Sequence, residues 1–351
     1  MKENNPFTLT FGRQPLKYIS RDAHTNNIIT SFCSDPPICQ TWLISGIRGC
    51  GKTVLMTSVA KGLAEKKDWV VVDLNSARNL LDDLAMRLSD ICKKFPDLAE
   101  AGFDISVAGF GIGIGSSKSD RDSISRIESM LDGLVKHNRK LLITIDEVTN
   151  NANMREFASQ FQIFIREEFP VFLIMTGLYD NIYAIQNDPA LTFLLRSPKI
   201  FLEPLSIRQI TDEYENIFGI DRSGARELAL TTKGYAFAFQ ALGMLYYEYR
   251  DSCSMEMILQ KLDNILDDYV YKKIWQGLSS QDKAVVLAMS KNSKMKVKDI
   301  YTAVSMTPAT FSKYRERLLN KGVLLSSQRG ELELALPRFG RIVSEYAEWE
   351  I

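Results

Sequence analysis

Histidine is nearly missing from this chain, cysteine is sparse, and neither sign of charge prevails. Only His24 and His137 occur in 351 residues, and Cys33, Cys39, Cys50, Cys92 and Cys253 form no C-x-x-C pair. That spacing argues against a structural zinc site. No apolar run approaches the length of a membrane span, and no N-terminal pairing of a basic and an apolar region resembles a signal peptide. The expected location is therefore cytoplasmic, with reduced thiols and no membrane partner. Lys plus Arg and Asp plus Glu both number 43, so any nucleic-acid surface must come from local clustering rather than from a net field. What is present, 45% hydrophobic and 25% charged residues, is the make-up of an ordinary globular chain of two or three domains with a full core.

The chain is organised around Thr41 to Thr53, TWLISGIRGCGKT. Trp42, Leu43, Ile44 and Ser45 read as a strand leading into Gly46. Gly51, Lys52 and Thr53 follow at the spacing G-x-x-x-x-G-K-T, and a helix-compatible run continues from Val54 to Leu63. Strand, glycine loop and helix in that order make a Walker A loop. Its glycines let backbone N–H groups curl into a nest around a phosphate, and the helix points its positive end at the same anion. Gly46, Ile47, Arg48, Gly49, Cys50, Gly51, Lys52, Thr53 and Val54 are the expected ATP contacts. Lys52 is expected to reach the β- and γ-phosphates, and Thr53 to offer its hydroxyl to Mg²⁺.

Ahead of this stretch, residues 1 to 40 form a Pro-punctuated strap and a helix expected from about Ala23. Phe7, Ile19 and Arg21 are either adenine contacts or part of a strap over a sheet edge. Behind it, Asp68 to Leu74 reads as a second strand, and a helix from about Arg78 to Lys94 is expected to be capped by Asn75 or Ser76. The glycine-alternating run VAGFGIGIGSS, 107 to 117, does not follow the first strand, so it is no dinucleotide fingerprint; a loop or hairpin is expected.

Lys140 to Glu147, KLLITIDE, is a buried strand with two carboxylates at its C-terminal end, where open α/β sheets place their ligand sites. This is the Walker B pattern. Asp146 is expected to hold Mg²⁺ through water, and Glu147 to orient and polarise the attacking water. After a helix from about Met154 to Phe169, the strand Val171 to Met175 ends in Thr176, the expected sensor of the γ-phosphate. A helix from Tyr183 to Leu195 then brings Arg196, followed by a short strand, Lys199 to Leu202. Strands alternating with helices predict an α/β fold: a P-loop NTPase parallel sheet with helices on both faces.

From Glu203 the pattern is helical only. Ser206 and Gln209 read as a capping box, and further helices are expected over 224–232, 235–249 and 255–275. The last stretch predicts a helix capped by Ser280, a second over Lys296 to Ser305, and a third opening at Thr307-Pro308. Two strands, 323–325 and 332–336, joined through Arg329 and Gly330, complete a helix-turn-helix with a wing. Lys313, Arg317 and Lys321 share a face of the third helix and, with Arg329 at the wing tip, are the expected contacts to double-stranded DNA. Winged helices also serve as protein-interaction modules, so a protein partner is the alternative. The expected domains are 1–40 (strap and helix), 41–203 (nucleotide-binding), 204–276 (all-α lid) and 277–351 (winged helix).

Together, Walker A at 46 to 53, Walker B at 141 to 147, Thr176, the lid and the winged helix resemble an AAA+ ATPase, over nearly the whole chain. The helix 78 to 94 is similar to the insertion of the replication-initiator clade, and the domain order resembles origin-recognition initiators. PFTLTFGRQP, LITIDEV, GYAFAFQALG and FSKYRERLLNKG are similar to a family of bacterial ATP-binding proteins, many of them carried on mobile elements. The resemblance implies ATP and Mg²⁺ as ligands, ATP hydrolysis, and an arginine finger acting in a homo-oligomer. Arg196 lies near the expected place, with Arg208 and Arg166 as lesser candidates. Two family features have no match: a lid arginine, where Lys233, Gly234, Tyr235, Ala236 and Phe237 stand, and a G-x-P proline, which would fall at Ala236. Slow hydrolysis is expected on that account. Three roles are open: an ATP-dependent DNA-binding switch, a STAND-like signalling or defence ATPase with the winged helix as a protein clamp, and a transposition or plasmid-maintenance ATPase.

Overall fold

In the computed structural model the described residues are 5–10, 15–93 and 119–349, so the glycine-alternating run 107–117 lies outside them. The chain divides into two compact units: Arg21–Ser45 with Lys52–Phe201, and Met1–Ser20 with Gly46–Gly51 and Leu202–Ile351. The strap and helix expected together over 1–40 therefore part company. The strap belongs with the C-terminal unit and the helix with the sheet.

The sheet unit begins with α1 (Asp22–Cys33), β1 (Thr41–Ser45), α2 (Lys52–Ala64), β2 (Trp69–Leu74) and α3 (Leu80–Cys92). It continues with α4 (Ser119–Lys136), β3 (Lys140–Ile145), α5 (Ala152–Arg166), β4 (Val171–Gly177), α6 (Tyr179–Gln186), a 3-10 helix (Pro189–Arg196) and β5 (Lys199–Phe201). The strands lie in the order β2-β3-β4-β1-β5, all parallel. Strand side chains alternate between faces. Val70, Val72, Leu141, Ile143, Leu173 and Met175 join the core with α3, α4 and α5, while Trp69 and Phe172 pack their rings on Phe32 of α1. Burial on both faces explains the near-continuous apolar strands. Two details depart from expectation. Asn79, not Asn75 or Ser76, caps α3 by accepting from the N–H groups of Leu81 and Asp82. The helix expected over 183–195 starts at Tyr179, breaks at Asn187 and resumes as the 3-10 turn, which Asp188 caps and Pro189 opens.

The second unit contains helices α7 (Ile207–Phe218), α8 (Arg222–Thr231), α9 (Ala236–Tyr249) and α10 (Met255–Leu266), a π-helical turn (Asp267–Tyr271) and α11 (Lys272–Gln276). Phe7 of the strap is buried at 3% exposure among the rings of Tyr214, Phe218 and Phe239, where Gly243 leaves it room. Phe7 is thus a core residue of the helical unit, which withdraws it as an adenine contact. Next come α12 (Ser280–Ala288), β6 (Lys294–Lys296), α13 (Val297–Ala303), α14 (Pro308–Asn320), β7 (Leu324–Gln328), β8 (Glu331–Leu334) and α15 (Phe339–Trp349). The antiparallel sheet β6-β8-β7 accompanies these helices. One apolar core runs through α7 to α11 and the elements that follow them. The α12 cap is Ser279, not Ser280, in a full capping box with Asp282. Lys294 to Lys296 form a third strand, and α13 starts one residue later than expected.

Candidate functional site

Within the sheet unit, three strand or helix ends bring the expected catalytic residues together. Lys52 opens α2 with its side chain buried, and Thr53 follows. Asp146 stands just past β3, and Thr176 lies in β4 beside it. Thr53 Oγ1 donates to Asp146 Oδ2 at 2.7 Å, and Thr176 Oγ1 donates to Asp146 Oδ1. Both carboxylate oxygens are thereby fixed by hydroxyls from different elements. The Glu147 N–H donates to Asp146 Oδ1 at 3.0 Å and to Thr176 Oγ1 at 3.4 Å. Glu147 holds φ at 52°, a left-handed conformation that bulky residues rarely adopt and that clusters at functional sites. The chain turns sharply there, and the Val148 N–H donates to the Thr176 carbonyl at 2.9 Å. Glu147 itself is exposed.

In the second unit, the loop Gly46–Gly51 is shaped by glycine at two places. Gly49 and Gly51 have φ of +76° and +97°, and a Cβ at Gly49 would stand 2.4 Å from the Tyr235 hydroxyl. Tyr235 Oη donates to the Arg48 carbonyl at 2.6 Å, and the Phe237 N–H donates to the Gly49 carbonyl at 3.1 Å. Burial pushes the Tyr235 phenol well above its ordinary pKa, so the hydroxyl keeps its proton and donates. The sequence offers no signal for these contacts.

Arg196 ends the 3-10 helix and is exposed. The four expected DNA-contacting residues divide. Lys313 and Arg329 are exposed. Arg317, however, donates from Nε to Asp282 Oδ1 at 3.1 Å and from Nη2 to Ser279 Oγ at 2.7 Å, and Asp282 is only 1% exposed. The guanidinium locks α14 to the cap of α12, because a buried carboxylate requires a fixed cation. Lys321 donates to the Gly277 carbonyl at 3.3 Å. Lys233, standing near the place of a lid arginine, donates to Glu333 Oε1 at 2.8 Å and to the Leu334 carbonyl at 2.9 Å. It is committed to β8.

The C-terminal part, residues 268–343, matches the model of a domain of unknown function (DUF8462). No curated protein matches the chain. Among solved structures, it is similar to the Walker-type ATPase PABY2304 of Pyrococcus abyssi, with 12% identity, 96% of this chain and 99% of that one covered, and a TM-score of 0.64. It is also similar to the ORC2 protein of Aeropyrum pernix, solved in ADPNP–ADP complexes, with 15% identity, 97% of each chain covered and a TM-score of 0.58. The fold of the chain is thus similar to the folds of these two proteins over nearly the whole length of each. No helix among the described residues is long and apolar enough to cross a membrane.

Proposed function

We propose that this chain binds ATP with Mg²⁺ at the Walker loop, hydrolyses it slowly, and uses the nucleotide state to govern how its winged helix meets double-stranded DNA. The observation that carries the catalytic part is the hydrogen-bonded set Thr53, Asp146 and Thr176 with Glu147 in a strained turn beside it. Mg²⁺ takes hard oxygen donors and keeps few protein ligands, so the adjacent Thr53 hydroxyl and Asp146 carboxylate fit it, with phosphate oxygens and waters as the other donors. Bound there, the ion would offset charge on the β- and γ-phosphates.

The chain's own residues supply the rest. Lys52 places its ammonium at the phosphates from the first turn of α2. Glu147 accepts a proton from the attacking water, and Thr176, whose hydroxyl donates to Asp146 and holds it in one rotamer, accepts through its oxygen from that water. Arg196 is proposed to act on a neighbouring subunit's nucleotide. With Lys233 committed to Glu333 and no lid arginine in the 233–237 segment, slow turnover is the natural consequence.

For DNA, Lys313 on α14 and Arg329 at the wing tip are the proposed contacts, joined by Lys296 and Lys298, which are also exposed. Arg317 and Lys321 are structural in this reading. A second reading, a STAND-like ATPase whose winged helix is a protein clamp, is favoured by the same commitment of Arg317, Lys321 and Lys233 to intramolecular bonds. Titrating duplex DNA across a salt series with and without ATP separates them. The switch predicts ATP-dependent affinity and a salt slope that falls by about one unit for each of Lys313→Ala and Arg329→Ala. Unchanged slope and affinity in the double variant favour the clamp.

A further inference from the structure

The phosphate-binding loop is held through its carbonyls. A trans peptide is planar, with its N–H opposed to its C=O. By fixing the Arg48 and Gly49 carbonyls, Tyr235 and the Phe237 N–H also fix the direction of the Gly49 and Cys50 N–H groups, which share those peptide planes. The Gly49 N–H is a donor of the kind that a Walker A nest turns on phosphate, while the Cys50 N–H donates within the loop to the Ile47 carbonyl at 3.3 Å. Away from the loop, the Tyr235 ring stacks on Tyr271, with centroids 6.3 Å apart and planes 28° from parallel. Tyr271 closes the π-helical turn, donates from its hydroxyl to the Pro337 carbonyl at 2.7 Å, and meets Phe339 edge-on at 4.9 Å. Pro337 and Phe339 lie at the start of α15, in the winged-helix module. Burial raises the phenol pKa of Tyr271 as it does that of Tyr235, so both remain donors at any working pH.

We propose that Tyr235 is the positioning residue of the phosphate-binding loop, and that the Tyr235–Tyr271 pair carries the loop's nucleotide state to the start of α15. The proposal rests on the nucleotide-binding reading of the loop. A phosphate that draws the Gly49 N–H toward itself rotates the Arg48 carbonyl, which shares its peptide plane, with it. Tyr235 follows its acceptor. Tyr271 packs on the same ring and hydrogen-bonds the backbone leading into α15, so closely packed rings pass the shift on rather than absorb it. Tyr235 bonds to the loop through its backbone and does no chemistry.

The test uses the full chain, with calorimetric titration of ATP and amide hydrogen exchange over residues 46–53 and 334–343. In the wild type, ATP is expected to slow exchange over 46–53 and to change it over 334–343. Tyr235→Phe removes one hydroxyl and leaves the Arg48 carbonyl without its donor. Its ATP affinity should fall about ten-fold, and the response at 334–343 should vanish while that at 46–53 persists. Tyr271→Phe should bind ATP as the wild type does and still lose the response at 334–343. A merely structural role for Tyr271 would leave that response in place. Wild-type affinity in Tyr235→Phe, or an intact response at 334–343 in either variant, overturns the proposal; so does a wild type that binds ATP with no change at 334–343. If circular dichroism finds Tyr235→Phe unfolded, Tyr271→Phe decides alone. A wild type that binds no ATP at all contradicts the nucleotide reading itself, and the proposal falls with it.

Discussion

Glu147 occupies a backbone conformation costing about 1–3 kcal/mol, held in place by two hydrogen bonds from its own N–H. Such a position makes sense for a residue that must present its carboxylate beside a reacting group. Glu147→Gln keeps the shape and loses the proposed base, so ATP turnover is expected to fall by about 10² or more with affinity unchanged. Turnover at the wild-type rate would place the base elsewhere. Gly49→Ala meets both a left-handed φ and the Tyr235 hydroxyl. It is expected to weaken ATP binding by more than ten-fold, since the loop must shift to admit the methyl group; affinity within two-fold of wild type would show the loop to be yielding there. At this scale the strand and helix ends that bring Thr53, Asp146 and Thr176 together were legible, because apolar strands and the glycine loop mark them in the sequence. Tyr235 was not, because its partner Arg48 lies 187 positions away in sequence.

Between elements, the junction of α12 and α14 depends on one ion pair. Asp282 completes the Ser279 cap and is buried, so Arg317→Ala leaves a carboxylate without its cation. A loss of about 2–4 kcal/mol in denaturant-induced unfolding is expected, tempered by the partial exposure of Arg317, whereas Lys313→Ala should change stability by less than about 0.5 kcal/mol. Equal effects would return Arg317 to the set of free surface cations. The pattern S-x-x-D at 279–282 did carry this cap in the sequence. That Arg317 reaches it depended on helix packing, which helical periodicity alone does not encode. Helix ends were read less well than helix cores for the same reason: Asn79, Ser279 and Asp188 act as caps through hydrogen bonds that neighbouring polar residues could equally have made.

Across the whole molecule, the parallel sheet and the run of helices were legible because buried strands and amphipathic helices leave distinct periods. The grouping of residues 1–20 with residues beyond 201 was not, since it depends on a few long-range contacts such as Phe7 in the aromatic core of α7 and α9. Phe7→Ala should cost about 3–5 kcal/mol by opening a cavity there, checked by thermal unfolding. A neutral result would make the strap dispensable. Arg196→Ala mixed with Lys52→Ala should recover part of the ATPase rate if subunits share a site, and fingers of this kind contribute about 10³ or more. No recovery despite proven co-assembly counts against Arg196.

The predictions about turnover and ATP affinity depend on one claim, that Gly46 to Thr53 holds a nucleotide. Calorimetric titration of ATP with Mg²⁺ into the wild type and into Lys52→Ala tests it most directly, because the proposed reading puts the lysine charge over the phosphates. The wild type is expected to bind one ATP per chain and Lys52→Ala to show no measurable binding. Equal affinity in the two proteins, or none in the wild type, would contradict the account.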